Sequence, residues 1–101
     1  MIGMITTFKV APDKMLQAKE PVVKMEGYQR KTDPDTQRFL FEPISGELSG
    51  IVHVSLYSSL SAFEEVRKKR EGDPEWQGIL KEIAESEWFL GVTRRIFDVI
   101  E

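Results

Sequence analysis

The chain contains one histidine, His53, and this side chain is the strongest candidate for proton-transfer chemistry. Histidine is the one residue type whose unperturbed charge change falls near neutral pH. His53, Ser55 and Tyr57 occupy alternate positions, so in a strand their side chains point to the same side. The pattern makes His53 a candidate general base, or a candidate hydrogen-bond anchor for a phenol or carboxylate, with Tyr57 as a candidate second group. The alternative is a structural histidine bonded to a neighbouring strand or a dimer partner.

Three further residues, Ser55, Trp76 and Arg38, are candidates for substrate binding. Trp76 belongs to the apolar stripe of a predicted helix, so core packing is the competing interpretation. Arg38 can bind an anionic group, although an arginine in a strand near a sheet edge is more often solvated or paired. The basic run Arg67–Arg70 lies among glutamates and is expected to form the exposed side of a short helix.

Composition excludes several classes of function. The 101 residues predict one domain, and 41% hydrophobic with 31% charged residues is typical of a globular protein. One histidine and no cysteine leave no transition-metal ligand set, no acidic calcium loop is present, and no cofactor is expected. A net charge of −3 predicts neither a nucleic-acid nor a membrane partner. The absence of cysteine fits a cytoplasmic location, and the apolar N-terminus is expected to be a strand rather than a signal peptide.

The first half of the chain predicts a strand and a helix. Alternation over Ile2–Val10 predicts the strand, and the following Ala-Pro-Asp turn predicts a helix running to about Gly27. Pro21 removes one helical hydrogen bond and is expected to kink this helix. A polar loop is predicted over Tyr28–Gln37. The apolar face of the helix is expected to consist of Met15, Leu16, Ala18, Val22, Val23 and Met25.

The second half predicts two strands, two helices and a last strand. Strands over 38–44 and 50–57 are joined by a hairpin at Ser45–Glu47. A capping box at Ser61–Glu64 predicts a helix that Gly72 ends. Asp73 and Pro74 predict a further helix to about residue 86, before a strand over 92–100. The apolar stripe of that helix is Trp76, Ile79, Leu80, Ile83 and Ala84. This order predicts a ferredoxin-like α+β fold, βαββαβ, with a four-stranded antiparallel sheet.

The strands are apolar on both sides, although helices can cover only one face of such a sheet. Val52, Val54 and Leu56 point away from His53, while Phe39 and Phe41 share one side of the preceding strand. A second copy of the chain is the simplest cover for the remaining face. We therefore predict a homodimer formed through the sheet.

The element order and the segment Arg67-Lys-Lys-Arg-Glu-Gly-Asp-Pro-Glu-Trp-Gln77 resemble the dimeric α+β barrel superfamily. Within it, the chain is most similar to the NIPSNAP-like and antibiotic-biosynthesis-monooxygenase-like branches. The resemblance implies a barrel formed by two sheets and a cleft between sheet and helices in each subunit. It also implies a range of activities, including cofactor-independent monooxygenases and isomerases. Haem-degrading members supply a histidine from a helix, whereas His53 is on a predicted strand, so haem is not expected.

Two hypotheses about function follow. The first is a cofactor-independent monooxygenase- or isomerase-like enzyme that binds a small aromatic or apolar substrate in the cleft, with His53 and Tyr57 orienting or deprotonating it. The second is a non-catalytic ligand-binding or interaction protein of the same fold. No third group that would hold His53 is evident in the sequence, and such a group would favour catalysis.

Overall fold

The computed structural model describes residues 1–43 and 50–100. Within them the chain forms β1 (Ile2–Val10), α1 (Met15–Thr32), β2 (Gln37–Phe41), β3 (Gly50–Tyr57), α2 (Leu60–Glu71), α3 (Pro74–Glu85) and β4 (Phe89–Asp98). The strands form one antiparallel sheet in the order β2-β3-β1-β4. The predicted ferredoxin-like α+β fold is therefore confirmed.

The core lies between the helices and one face of the sheet. Phe8 and Ile51 from the strands pack in one cluster with Val22 of α1 and Ile79 of α3. A second cluster joins α2 to the sheet through Met4, Tyr57 and Phe63. Since side chains alternate along a strand, His53 and Ser55 share this helix-covered face with Ile51 and Tyr57.

The N-termini of α2 and α3 are set by side-chain caps. Asp73 Oδ1 accepts a hydrogen bond from the Glu75 amide at 2.9 Å, and Pro74 opens α3 as predicted. The predicted capping box of α2 is wrong. Ser59 caps this helix instead and accepts a hydrogen bond from the Ala62 amide at 3.1 Å, because the helix begins at Leu60. Gly72 ends α2 as predicted.

Helix α1 differs from the prediction in its length and its buried face. It continues past Gly27 to Thr32, because one glycine does not stop a helix and the basic residues of its last turn favour the C-terminal end of the helix dipole. Leu16 and Val23 were expected on the apolar face, but they are 84% and 57% exposed. Pro21 lies inside the helix and is buried. The buried residues of α1 are Ala18, Pro21, Val22, Met25, Glu26, Tyr28 and Gln29.

The opposite face of the sheet carries apolar side chains that none of the three described helices covers. Val52, Val54 and Leu56 lie there, and Phe39 and Phe41 are 47% and 48% exposed. The predicted division of these strands into two apolar faces is confirmed. Strand β2 ends at Phe41, earlier than predicted, and the hairpin at Ser45–Glu47 lies outside the described residues.

Strand β4 forms an edge of the sheet that the helices leave uncovered. It runs over Phe89–Asp98, so it begins and ends before the predicted bounds. Val92 and Ile96 pair with Phe8 and Met4 and share their face, yet they are 46% and 51% exposed. Because the helices do not cover β4, this side of the molecule is open, and the candidate site lies there. No helix in the described residues is long and apolar enough to cross a membrane.

Candidate active site

A cleft of about 500 Å³ lies between the sheet and helices α2 and α3. Its floor includes Thr6 and His53 of the central strands, and its open side runs along β4 past Val92 and Arg94. Apolar side chains that line it include Met4, Phe8, Met25, Phe63, Leu80 and Ile83. A concave, largely apolar space with a few polar groups is what a small organic ligand requires.

His53 is held at this floor by Glu26 of α1. The His53 ring is 1% exposed, and its Nε2 lies 2.5 Å from Glu26 Oε2. Glu26 follows Val22 by one helical turn, so the two residues lie on the same buried face of α1. The packing of α1 against the sheet therefore brings a carboxylate to the histidine.

Glu26 in turn binds two arginines. Its Oε1 accepts from Arg30 Nε at 3.0 Å and from Arg38 Nε at 3.3 Å. The Arg38 side chain is 3% exposed, and its Nη1 donates to the Asp33 backbone oxygen at 2.8 Å. The carboxylate that orients His53 is thus fixed by a buried cation from β2.

The protonation states follow from burial and from these partners. Burial lowers the pKa of His53 from its ordinary 6.5, although the Glu26 hydrogen bond acts in the opposite direction. The pKa of Glu26 lies below its ordinary 4.5: burial raises it, but hydrogen bonds from Arg30 and His53 and the charge of Arg38 outweigh that effect. At neutral pH, His53 is neutral and Glu26 is ionised.

An ionised carboxylate can only accept a hydrogen bond, so His53 donates from Nε2 and keeps a lone pair on Nδ1. Nδ1 is therefore the ring nitrogen that can accept a proton. When it does so, Glu26 stabilises the imidazolium across the 2.5 Å contact. The arrangement has the two parts of an oriented base, a neutral imidazole and a carboxylate behind it.

The remaining predicted site residues divide between the cleft and the core behind it. Tyr57 and Trp76 line the cleft, and the buried Tyr57 hydroxyl has no hydrogen-bond partner in the described residues. Ser55 is fully buried and is absent from the cleft lining within the described ranges. Arg38 lies behind Glu26 and is likewise absent from that lining, so it contacts the base through Glu26.

The basic run of α2 is exposed only in part. Lys68 and Lys69 are exposed as predicted, but Arg70 is 7% exposed and its guanidinium lies 5.1 Å from the centre of the Trp76 ring. The prediction for Arg70 is therefore wrong, because this side chain points inward and stacks on an aromatic residue. Arg70 also lines the cleft.

Glu26 is the residue of the candidate site that the sequence interpretation missed. Its signal was a carboxylate one turn after Val22 and next to Met25, inside an otherwise apolar face. No three histidine, aspartate or glutamate side chains converge in metal-binding geometry within the described residues.

Solved structures with the same fold come from several bacteria. A NIPSNAP family protein from Agrobacterium tumefaciens is 22% identical, with a TM-score of 0.77 over 95% of this chain and 90% of its own. A NIPSNAP domain protein from Burkholderia xenovorans is 15% identical, with a TM-score of 0.80 over 98% and 94%. A candidate antibiotic biosynthesis monooxygenase from Caulobacter crescentus is 18% identical, with a TM-score of 0.75 over 99% and 90%.

Among curated proteins, no sequence matches the chain significantly. The NIPSNAP family model matches residues 4–98, which include every helix and strand of the fold except the first two residues of β1. The chain belongs to the NIPSNAP family.

Proposed function

We propose that this protein is a cofactor-independent enzyme of the monooxygenase or isomerase type, in which His53 removes a proton from a small aromatic or apolar substrate. The observation that carries the proposal is the His53–Glu26 pair at the floor of an open, apolar cleft. A neutral histidine oriented by a carboxylate is the arrangement that general-base catalysis requires. Apolar walls suit a planar substrate, and Tyr57 supplies a hydroxyl for hydrogen bonding.

Both reaction types begin with the same step. A substrate O–H or acidic C–H gives its proton to His53 Nδ1, and the substrate becomes a phenolate or enolate. In an isomerase, the proton returns at a different carbon of the substrate. In a monooxygenase of this type, the anion reduces O₂, so that a CH₂ group becomes a carbonyl and the second oxygen atom leaves as water. Neither route needs a group beyond substrate, oxygen and the side chains of the cleft.

The structural neighbours lend support at the level of the fold. The Caulobacter protein named as a candidate monooxygenase has the same element arrangement, with a TM-score of 0.75 at 18% identity. A shared fold hosts many activities, so the proposal depends on the His53–Glu26 geometry.

The test compares the parent protein with His53→Ala and His53→Gln. Gln retains an N–H that can donate to Glu26 but cannot act as a base, so it separates catalysis from folding. A thermal-shift panel of phenols, quinones and hydroxylated polycyclic compounds should identify ligands that stabilise the parent. His53→Ala should bind these ligands more weakly by about 1–3 kcal/mol.

Proton removal is then measured as deuterium exchange at a C–H position of the bound substrate in D₂O, and oxygen uptake separates the monooxygenase from the isomerase. The parent should exchange and His53→Gln should not. If ligands bind to the parent but exchange is no faster than without protein, the protein is a non-catalytic binding protein. If no compound binds and His53→Ala only melts earlier, His53 is a structural residue and the enzyme proposal fails.

We propose further that the protein works as a homodimer joined through the open face of the sheet. The uncovered apolar face that includes Val54, Phe39 and Phe41 supports this assembly. An interface of standard size would bury roughly 800 Å² per chain. Sedimentation at micromolar concentration should report twice the monomer mass, and Val54→Lys should reduce it to the monomer. Leu16→Lys, at an exposed position of α1, is the matched control and should leave the dimer intact.

A further inference from the structure

Arg70 is a buried cation of the cleft, and two of its guanidinium nitrogens lack hydrogen bonds. The residue is 7% exposed, and Nε and Nη2 have no hydrogen-bond partner in the part of the chain that the structure describes. These two nitrogens form the edge of a guanidinium that presents two parallel N–H groups, the geometry that matches a carboxylate. Buried donors without partners are rare in native proteins, so this edge points to a ligand.

The surroundings of Arg70 orient its guanidinium but give this buried edge no hydrogen bond within the described residues. Its guanidinium lies 5.1 Å from the centre of the Trp76 ring, and this stacking orients it. Asp33 Oδ2 is 4.0 Å from Nη2, which is close enough for attraction but too far for a hydrogen bond. Asp33 is also bound by the hydroxyl of Thr36 and lies 3.6 Å from Arg38 Nη1. Its charge is therefore shared with a second arginine.

Arg70 borders two spaces, and the charges favour the larger one for an anion. A smaller cavity of about 220 Å³ is lined by Arg70 together with Asp33 and Asp73, whose carboxylates repel a second anion. In the cleft, the carboxylate among the described lining residues is Glu71, which pairs with Arg67 at 3.3 Å. The cleft also holds two further buried polar atoms that have no partner among residues 1–43 and 50–100, Gln29 Oε1 and the Tyr57 hydroxyl.

We infer that the cleft binds an aromatic or apolar carboxylic acid, whose carboxylate forms two hydrogen bonds with Arg70 Nε and Nη2. This inference rests on the proposed function, since it assumes that the cleft is a ligand site, and it specifies the substrate class. A substrate anchored at Arg70 places its carboxylate near the helices and its apolar body along the sheet toward His53. Trp76 stacks on the guanidinium and lines the same cleft, so it extends the apolar wall beside the anchor.

The test measures the affinity of hydroxynaphthoic acids and of their methyl esters by calorimetry at fixed ionic strength. Two charge-assisted hydrogen bonds should make the acid bind about 10- to 100-fold more tightly than its ester. Arg70→Met should abolish this preference while the ester still binds, which shows that the cleft is intact. Lys68→Met removes the same charge from an exposed position of α2 and should keep the preference. If Arg70→Met does not fold, Arg70→Lys keeps the charge but loses the paired edge, and it should reduce the preference for the acid without abolishing it.

A direct readout is the ¹H–¹⁵N signal of Arg70 Nε, which should shift with the acid and not with the ester. Equal affinity for acid and ester in the parent would overturn the inference and leave the proposed function standing. A preference that survives Arg70→Met would overturn the inference, and its loss in Lys69→Met would then place the anion in the smaller cavity, which Lys69 also lines. Binding of acids through Arg70 without exchange at His53 would overturn only the proposed function, and failure of both acid and ester to bind would overturn both.

Discussion

Replacing Glu26 by Gln tests the buried network at its centre. The substitution keeps the shape and one acceptor oxygen but removes the negative charge beside Arg38, at 3.3 Å. At an effective dielectric constant near 20, a pair at this distance contributes about 5 kcal/mol of attraction. Asp33, whose Oδ2 lies 3.6 Å from Arg38 Nη1, still compensates part of the arginine's charge. The ion pair between Glu26 and Arg30 contributes little to stability, because the Arg30 side chain is 71% exposed. We therefore expect Glu26→Gln to lower the free energy of unfolding by about 3–5 kcal/mol.

The assay is urea denaturation at pH 7 and fixed protein concentration, because an oligomer's stability depends on concentration. Glu20→Gln, an exposed change of the same type on α1, is the control and should lie within about 0.5 kcal/mol of the parent. The double variant Glu26→Gln/Arg38→Met should be more stable than the sum of the single effects by more than about 1 kcal/mol. If Glu26→Gln matches the Glu20→Gln control, the carboxylate does not hold the buried arginine and the reasoning is wrong.

The same variant should change the acid side of the stability profile. The pKa of Glu26 is lowered in the folded protein, so its contribution is present above its ordinary 4.5 and is lost as the pH falls through the folded value. Glu26→Gln should remove this part of the acid-induced loss. A profile below pH 4.5 that is identical in both proteins would contradict the lowered pKa.

Three further predictions concern His53, the glycines and the core. Burial lowers the pKa of His53, so below its ordinary 6.5 the unfolded chain binds a proton that the folded protein does not. The free energy of unfolding should therefore decrease as the pH is lowered below 6.5, by up to about 1.4 kcal/mol per pH unit. In urea titrations at several pH values, His53→Gln should flatten this slope. Gly50→Ala would place a Cβ atom 2.8 Å from a β1 carbonyl oxygen and should lower the free energy of unfolding by about 1–3 kcal/mol. Gly78→Ala in α3 places a Cβ atom with nothing within 4 Å and should raise the free energy of unfolding by about 1 kcal/mol in the same denaturant assay. Ile79→Ala truncates a residue that is 2% exposed and should lower the free energy of unfolding by about 2–5 kcal/mol. Leu16→Ala, at a residue that is 84% exposed, should change it by less than about 0.5 kcal/mol. Equal effects would show that the helix faces are assigned wrongly.

Features fixed by neighbouring residues could be predicted from the sequence. Helix α3 begins at Pro74 behind the Asp73 cap, and its buried residues Trp76, Ile79 and Ile83 belong to the expected stripe, whereas Ala84 of that stripe is exposed. A cap, a proline and a 3.6-residue period all act within one segment, so no distant contact is needed to recognise them.

Features that depend on packing between segments were harder to predict. In α1, Val22 and Val23 are equally apolar, and only the position of the helix on the sheet decides that Val22 is buried and Val23 is exposed. The pairing of Glu26 with His53 is of the same kind, because these residues are 27 positions apart and meet only when α1 packs on β3. The sequence could identify His53 as a candidate base and could not identify the carboxylate that pairs with it.

The energetic cost of the buried network distinguishes a functional site from a structural one. Glu26, Arg38 and His53 are almost fully buried, and replacing a buried charge network by apolar side chains of similar volume is often neutral or stabilising. The pairing of β2 with β3 does not depend on these groups. The β2 residue opposite His53 in the sheet is the apolar Leu40, so an apolar side chain at position 53 would have an apolar neighbour. We therefore expect the triple variant Glu26→Leu/Arg38→Met/His53→Leu to be as stable as the parent, or more stable by about 1–4 kcal/mol, in urea denaturation.

The same triple variant should lose proton exchange, because no base remains at the floor of the cleft. Gain of stability with loss of exchange would mean that the network is retained for chemistry at a cost in folding free energy. If the triple variant were several kcal/mol less stable than the parent, the three residues would be a structural network. The role of His53 would then be to stabilise the fold together with Glu26 and Arg38, and not to act on a substrate.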